Sequence, residues 1–235
     1  MTKSYAAGGA EYTLSIPRLD IRPGAKLAFV GESGSGKSTL LELLAMILRP
    51  DNIEAFSFKP DAERESIDIG TAWQTGDADQ LSDLRSRYVG YVLQSGGLLP
   101  YLSVRENINL SRQLLHQPTG RAAEEWAVKL NIQGQLDKLP SMLSVGQRQR
   151  AAIARALAHE PRVLIADEPT AAIDPQNAER IMALMAALAD ELGVTLVVAS
   201  HAIELVKRAG LQLLDLRVES LDDESLLVTV SDATY

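Results

Sequence analysis

One segment of the sequence has the spacing of a phosphate-binding loop. Residues 31–38 read GESGSGKS, which fits the pattern G-x-x-x-x-G-K-[ST]. Glycines in such a loop allow successive backbone N–H groups to turn towards phosphate oxygens, because no side chain obstructs them. The Lys37 ammonium would reach the β- and γ-phosphates, and the Ser38 hydroxyl would bind Mg²⁺. The sequence therefore predicts a nucleoside-triphosphate site that includes Gly31, Ser33, Gly34, Ser35, Gly36, Lys37 and Ser38.

Two acidic residues follow an apolar run in the second half of the chain. Residues 162–166 read RVLIA, and Asp167 and Glu168 come directly after them. A strand that ends in aspartate places a carboxylate beside the Mg²⁺ of a bound nucleotide, where it holds the water shell of the metal. Glu168 is suited to orient the attacking water as a general base. In isolation, such a pair is as often two solvated carboxylates at a strand end as it is part of a catalytic site. The phosphate-binding loop in the same chain favours a hydrolytic site.

A third segment separates the classes of nucleotide-binding protein. Residues 143–150 read LSVGQRQR and precede an alanine-rich run. Ser144 and Gln147 have the spacing of a capping box, so Ser144 is expected to cap a helix whose first N–H groups are free for an anion. A phosphate-binding loop alone is compatible with GTPases, kinases and ATPases. With the three segments in this order, the chain resembles the nucleotide-binding subunit of ABC (ATP-binding cassette) transporters over essentially its whole length.

The order of predicted elements agrees with that resemblance. Strand-like and helix-like runs alternate, which is typical of an α/β fold around a mostly parallel sheet. The resemblance implies a P-loop NTPase cassette with a mostly parallel sheet core, an antiparallel β edge and a helical subdomain. The chain would then be a single ATP-binding domain over 1–235, with a RecA-like α/β core over 1–102 and 161–235 and the helical subdomain over 103–160.

Local patterns predict several individual elements. Lys26–Val30 reads as a buried strand that leads into the phosphate-binding loop, and 37–48 reads as the helix that follows. Residues 51–87 are polar and weakly periodic, which predicts an edge excursion with short strands. Asp174 followed by Pro175 predicts the start of another helix, because Pro is favoured in the first helical position.

The resemblance also assigns roles to residues outside the phosphate-binding loop. Gln94 resembles the Q-loop glutamine, which contacts Mg²⁺ and senses the partner, and His201 resembles the switch histidine, which contacts the γ-phosphate. Thr39 adjoins the loop, and 143–147 resembles the signature sequence. The implied catalytic residues are Lys37, Gln94, Glu168 and His201; the implied Mg²⁺ ligands are Ser38, Gln94 and Asp167; and the implied further ATP-binding residues are Ser144, Gly146 and Gln147.

Members of this family usually stack an aromatic side chain from near the N-terminus on adenine. Tyr5 has the better spacing for that role, and Tyr12 is the alternative. Either ring is also compatible with ordinary packing.

The signature segment departs from the family pattern at Val145, where most members carry glycine. Valine in the first helical position is compatible with helical dihedral angles and keeps its N–H. We therefore expect phosphate binding to survive, since Ser144 and Gly146 remain.

The resemblance implies a head-to-tail homodimer with two composite ATP sites, each between the P-loop of one subunit and residues 144–147 of the other. Its closure would drive an integral membrane permease, which would hold the chain at the cytoplasmic face of the inner membrane. Residues 88–107 look most like the group serving lipoprotein release, macrolide export and cell-division peptidoglycan control, whose partners are four-helix (FtsX- or MacB-like) permeases. The apolar run 96–102 is suited to a groove for a permease helix, unless its leucines fill the core of the helical subdomain.

Charge and composition argue against several other classes of protein. The 235-residue chain has a net charge of −8, and residues 51–84, with nine acidic and two basic residues, contribute −7 of it. Without a basic stripe, binding of nucleic acid is disfavoured. No cysteine is present, and neither a signal peptide nor a membrane span is visible.

Two other functions are alternatives to a transporter subunit. A soluble non-transport ABC ATPase is one, although such proteins usually carry two cassettes or basic surfaces. A non-hydrolysing ATP-binding regulator is another, which Glu168 and His201 argue against.

Overall fold

Strands and helices alternate along the part of the chain that the computed structural model describes. This part comprises residues 1–7, 10–32, 34–61, 63–222, 225–230 and 233–234, so Ser33 of the phosphate-binding loop lies outside it. Its strands are β1 Thr2–Ala7, β2 Ala10–Ser15, β3 Leu19–Asp20, β4 Lys26–Val30, β5 Ser57–Phe58, β6 Ile67–Asp68, β7 Val89–Val92, β8 Val163–Asp167, β9 Thr195–Ser200, β10 Gln212–Asp222, β11 Ser225–Val230 and β12 Ala233–Thr234. Its α-helices are α1 Lys37–Leu44, α2 Ile69–Thr75, α3 Ala78–Tyr88, α4 Val104–Leu114, α5 Ala122–Lys129, α6 Val145–Leu157, α7 Pro175–Leu192 and α8 Ile203–Arg208.

One mixed sheet of eight strands organises the fold, in the order β1-β2-β11-β10-β4-β9-β8-β7. The strands from β10 to β7 are parallel, whereas β1 pairs antiparallel with β2, and β10 antiparallel with β11. Every residue of β9 is buried, as expected for a central parallel strand that is covered on both faces. The sheet confirms the expected α/β fold with a mostly parallel core and an antiparallel edge.

Hydrophobic side chains pack against both faces of this sheet. Leu27 and Phe29 of β4 belong to a cluster with buried leucines of α1, whereas Ala28 and Val30 face a second cluster that contains residues of α6 and α7. The alternation follows from the two-residue period of a strand. Because β4 and α1 are both anchored in the core, the loop between them is held by rigid elements at each end.

The described chain between β7 and β8 is helical. It contains α4, α5 and α6 with two single 3₁₀ turns, Gln133–Gln135 and Pro140–Met142. Both α4 and α6 begin with a complete capping box, so the box expected at Ser144 and Gln147 is present. Within the described ranges, no helix is both long and apolar enough to cross a bilayer.

The helix after the phosphate-binding loop is shorter than the sequence predicts. α1 ends at Leu44 rather than at residue 48, and Met46 has a φ of 59°. The Met46 side chain is 1% exposed and packs in a small cluster with Ile69 and Leu81. The contacts of this buried side chain outweigh the helical propensity of the segment.

The expected edge excursion over 51–87 is only partly right. The short strands β5 and β6 do pair, but the helices α2 and α3 follow them. Asp68 caps α2 by accepting a hydrogen bond from Thr71 N, and Asp77 caps α3 by accepting one from Gln80 N. Two of the acidic residues that make this segment polar and weakly periodic are therefore N-caps, a position that Asp favours.

Candidate functional site

The carboxyl ends of four neighbouring parallel strands meet at one edge of the sheet. β4 leads into the phosphate-binding loop, β7 to Gln94, β8 ends in Asp167 next to Glu168, and β9 leads to His201. Open α/β sheets hold their ligands at this edge. A cavity of about 790 Å³ lies there, and the described residues that line it are Tyr5, Tyr12, Glu32, Gly34, Gly36, Lys37, Ser38, Thr39, Gln94, Glu168 and His201.

Lys37 is held across the phosphate-binding loop by backbone carbonyls. Its side chain is 6% exposed, and Nζ donates hydrogen bonds to the carbonyl oxygens of Gly31, at 2.9 Å, and Glu32, at 2.7 Å. These acceptors are neutral, and the nearest carboxylate oxygen, Glu168 Oε1, lies 3.8 Å away. The ammonium charge is therefore positioned inside the loop and remains available to a phosphate group.

Glu168 has a backbone conformation that is unusual for a residue with a side chain. Its φ is 44°, and its backbone N–H donates a hydrogen bond of 3.0 Å to the carbonyl of Ala199 on β9. The largely buried carboxylate places Oε2 2.9 Å from Nδ1 of His201 and Oε1 near Lys37. A left-handed residue costs free energy and persists where its surroundings hold it in place, so the strand end directs this carboxylate into the cavity.

Asp167 lies behind Glu168 and faces the phosphate-binding loop. The Ser38 hydroxyl lies beside its carboxylate. Burial raises the pKa of Asp167, the negative charge of Glu168 adds to the rise, and Ser38 and Lys37 oppose it. Its Oδ1 is buried and has no hydrogen-bond partner among the described residues. A buried carboxylate oxygen without a donor has the chemistry of a cation ligand.

The donor set around Asp167 fits a metal that is shared with a substrate. Among the described residues, no group of three or more acidic or histidine side chains is arranged to hold a metal ion. Mg²⁺ usually takes one or two carboxylates together with waters and substrate phosphates. One unpartnered carboxylate oxygen beside a serine hydroxyl and a phosphate-binding loop meets that requirement.

Most of the predicted site residues converge on the cavity. Tyr5, Gly34, Gly36, Lys37, Ser38, Thr39, Gln94, Glu168 and His201 line it directly. Gly31 accepts a hydrogen bond from Lys37, and Asp167 lies beside Ser38. The buried Ser35 hydroxyl has no partner in the described part of the chain.

The signature residues are the exception. Ser144, Gly146 and Gln147 are not among the described residues that line the cavity. Ser144 is exposed and caps α6: its Oγ accepts a hydrogen bond of 3.2 Å from Gln147 N, and Gln147 Oε1 accepts one of 3.0 Å from Ser144 N. Val145 is 41% exposed at the first helical position. The structure therefore presents this helix end outward rather than to the phosphate-binding loop of the same chain.

Two side chains next to Asp167 escaped sequence reasoning. Glu42, on α1, has a pKa raised by burial and by the negative charge of Asp167. Tyr91, on β7, has a pKa raised first by burial and then by the charges of Asp167 and Glu42. The sequence motifs of the nucleotide site include neither Glu42 nor Tyr91. A detectable signal was the position of Glu42 within a helix that packs under the sheet, where an acidic residue is unusual.

Comparison with known proteins identifies the family. A family model described as "ABC transporter" matches residues 14–171. The chain belongs to this family. The lipoprotein-releasing system ATP-binding protein LolD of Idiomarina loihiensis is 37% identical over 88% of the chain and 88% of LolD. The macrolide export ATP-binding/permease protein MacB of Brucella melitensis biotype 1 is 38% identical over 85% of the chain, but the chain spans only 29% of MacB.

A solved structure agrees with the fold of this ABC cassette. The dimeric post-hydrolysis state of the ATP-binding cassette MJ0796, bound to ADP and Pi, is 32% identical and superposes with a TM-score of 0.76. The match covers 92% of the chain and 91% of MJ0796. Together with the family match, it establishes the chain as an ATP-binding and ATP-hydrolysing subunit of an ABC transporter.

Proposed function

We propose that two copies of the chain bind ATP head to tail, so that residues 144–147 of one copy close over the phosphate-binding loop of the other. The observation that carries this proposal is the separation of the site into two parts. The cavity contains the phosphate-binding loop, Glu168 and His201, whereas the capped start of α6 is exposed and lies off the cavity. The free N–H groups at the start of a helix favour an anion. The phosphates of an ATP bound to a second copy of the chain would supply that anion.

In this arrangement each side chain of the cavity has a distinct role. Lys37 binds the β- and γ-phosphates. Glu168 accepts the proton of the attacking water, and His201 orients the Glu168 carboxylate through their hydrogen bond and contacts the γ-phosphate. Tyr5 provides the ring for adenine.

Ser38, Gln94 and Asp167 would hold Mg²⁺, which, when bound, neutralises charge on the β- and γ-phosphate oxygens. The unpartnered Oδ1 of Asp167 supports this assignment. Gln94 is exposed at the mouth of the cavity, where it can approach a metal and a neighbouring protein at once.

Closure of the dimer would drive a membrane permease through the loop that follows Gln94. The fully buried Asn107 pins this loop: its side chain accepts a hydrogen bond from Leu99 N and donates to the carbonyls of Leu99 and Leu102. Leu98 packs against the core cluster and therefore contributes to the core, but Tyr101 is 73% exposed. Tyr101 is therefore the apolar group that the loop offers to a partner.

The family resemblance extends this proposal to location and partner class. Residues 103–160 would form the helical subdomain that moves against the core, and a four-helix permease of the MacB- or FtsX-like kind would hold the chain at the cytoplasmic face of the inner membrane. The similarity to LolD and MacB supports this partner class.

A pull-down of the tagged chain from detergent-solubilised native membranes tests whether its partner is a membrane permease. We expect an integral membrane protein to co-purify, Tyr101→Asp to lose it, and Leu114→Asp to keep it, because Leu114 is similarly exposed but lies at the end of α4. Recovery of the chain from the soluble fraction alone would contradict the proposal and favour a non-transport ATPase.

Size-exclusion chromatography tests the composite site separately. With ATP, Glu168→Gln should elute as a dimer, and an added Ser144→Arg should return it to the monomer. A Glu168→Gln protein that binds ATP and stays monomeric at every concentration would refute the head-to-tail arrangement.

A further inference from the structure

Tyr12 places its hydroxyl group directly over the phosphate-binding loop. It lies on β2, opposite Tyr5 of β1, and both rings line the cavity. A Cβ built on Gly36 would lie 1.9 Å from the Tyr12 hydroxyl oxygen. Gly36 has a φ of 81° and caps α1, so the hydroxyl approaches the backbone at the point where the loop becomes a helix. Only glycine leaves room for this approach.

The Tyr12 hydroxyl has no hydrogen-bond partner within the described part of the chain, although its oxygen is buried. Burial, with a smaller contribution from Tyr5, raises the pKa of Tyr12 to about 12. The group therefore keeps its proton at neutral pH and can donate a hydrogen bond. A buried hydroxyl without a partner is costly, and a ligand that accepts its hydrogen bond would remove that cost.

The two tyrosines differ in what they can offer a nucleotide. Tyr5 is 39% exposed, so its ring is accessible to a base. Tyr12 is less exposed, and its polar end points to the loop rather than to solvent. Lys37 and Thr39 line the same cavity beyond Gly36.

We propose that the Tyr12 hydroxyl, which is buried against Gly36 without nucleotide, turns towards the nucleotide when it binds and donates a hydrogen bond to a phosphate oxygen, while the Tyr5 ring takes the base. The inference rests on the nucleotide site proposed above. Hydrogen bonds from a neutral donor to a charged oxygen are stronger than those between neutral groups. An aromatic residue on β2 thereby joins the phosphate site without belonging to the loop.

Tyr12→Phe tests this contact because it removes the hydroxyl and keeps the ring. We expect the Kd values of ATP and ADP to rise about tenfold, and the affinity for adenosine, measured by competition with a fluorescent ADP analogue, to stay unchanged. Tyr88→Phe is the matched control: its hydroxyl accepts a hydrogen bond from Arg64, away from the cavity, so nucleotide affinity should not change.

The melting temperature without nucleotide provides a second readout. Removal of an unsatisfied buried hydroxyl should leave the Tm of the free protein unchanged or raise it, whereas the Tm increase on adding ATP should shrink. A hydroxyl with a purely structural role would instead lower the Tm of the free protein.

Three results would overturn the inference while leaving the ATP site intact. They are unchanged or tighter ATP binding by Tyr12→Phe, an equal loss for adenosine, and a loss that disappears with 2′-deoxy-ATP, which would assign the hydroxyl to the ribose. Failure of the unaltered chain to bind ATP would instead refute the nucleotide site itself.

Discussion

Oε2 of Glu168 lies 2.9 Å from Nδ1 of His201, at the ends of two adjacent parallel strands. The other Glu168 oxygen is 3.8 Å from Nζ of Lys37. One carboxylate thus lies between the His201 ring and the Lys37 ammonium, the two groups that we propose contact the phosphates. We expect Glu168 and His201 to act as a unit in hydrolysis.

The first prediction concerns this unit. His201→Ala should lower kcat by about 10–100-fold with little effect on KM, because the histidine orients Glu168 rather than provides most of the binding. In the Glu168→Gln background, loss of His201 should cost little more, since both changes disable the same step. Steady-state kinetics of the two single variants and the double variant measure this; additive losses would contradict the coupling.

Val145 provides the second prediction. The residue is 41% exposed at the start of α6, and its N–H is retained. Val145→Gly should therefore leave ATP affinity unchanged and alter the ATPase rate by less than about twofold, or ~0.4 kcal/mol. A larger change in rate at constant affinity would mean that the valine side chain acts in closure of the dimer.

Arg155 leads to a prediction about stability. From α6, it donates hydrogen bonds of 2.6 and 3.2 Å to the carbonyls of Gly97 and Gly96, which both have positive φ. Arg155→Met should lower the free energy of unfolding by about 1–3 kcal/mol, because two carbonyls lose charged donors. Urea denaturation measures this, with exposed Arg180→Met as a control that should change it by less than about 0.5 kcal/mol.

His159 predicts a pH dependence of stability. It is 5% exposed, and burial lowers its pKa to about 4 from an ordinary value of 6.5, with a further lowering by Arg112. The unfolded chain therefore takes up a proton at a pH where the folded chain does not, and stability is lost as the pH falls from 6.5 towards 4. We expect the free energy of unfolding to drop by about 2 kcal/mol between pH 7 and pH 5 through this residue.

His159→Gln should remove that part of the pH dependence, and the exposed His116→Gln should leave it in place. Denaturation curves at the two pH values, compared among the three proteins, measure the difference. An identical drop in all three would show that other groups cause it.

Sequence reasoning succeeded where local chemistry dictates the backbone. The strand Lys26–Val30, the capping box at Ser144 and the helix that begins at Pro175 all follow from short-range rules. The order of strands along the chain then placed Gln94 and His201 at one edge of the sheet. These features depend on few residues, and each has one dominant physical cause.

The remaining features depend on contacts between distant segments. α1 ends early because Met46 is buried against residues of α2 and α3. No local sequence pattern predicts that contact. The position of Tyr12 over Gly36 depends on the packing of β2 against a loop more than twenty residues later. Similarly, Glu42 and Tyr91 meet Asp167 only in the folded sheet.

Steady-state hydrolysis of Mg-ATP by the unaltered chain and by Glu168→Gln is the most direct test of the proposed catalytic site. We expect the unaltered chain to release phosphate, and Glu168→Gln to do so at least about 100-fold more slowly while it binds ATP with similar affinity. An unaltered chain that binds ATP without hydrolysing it, or a Glu168→Gln variant of equal rate, would contradict the assignment of Glu168 as the base.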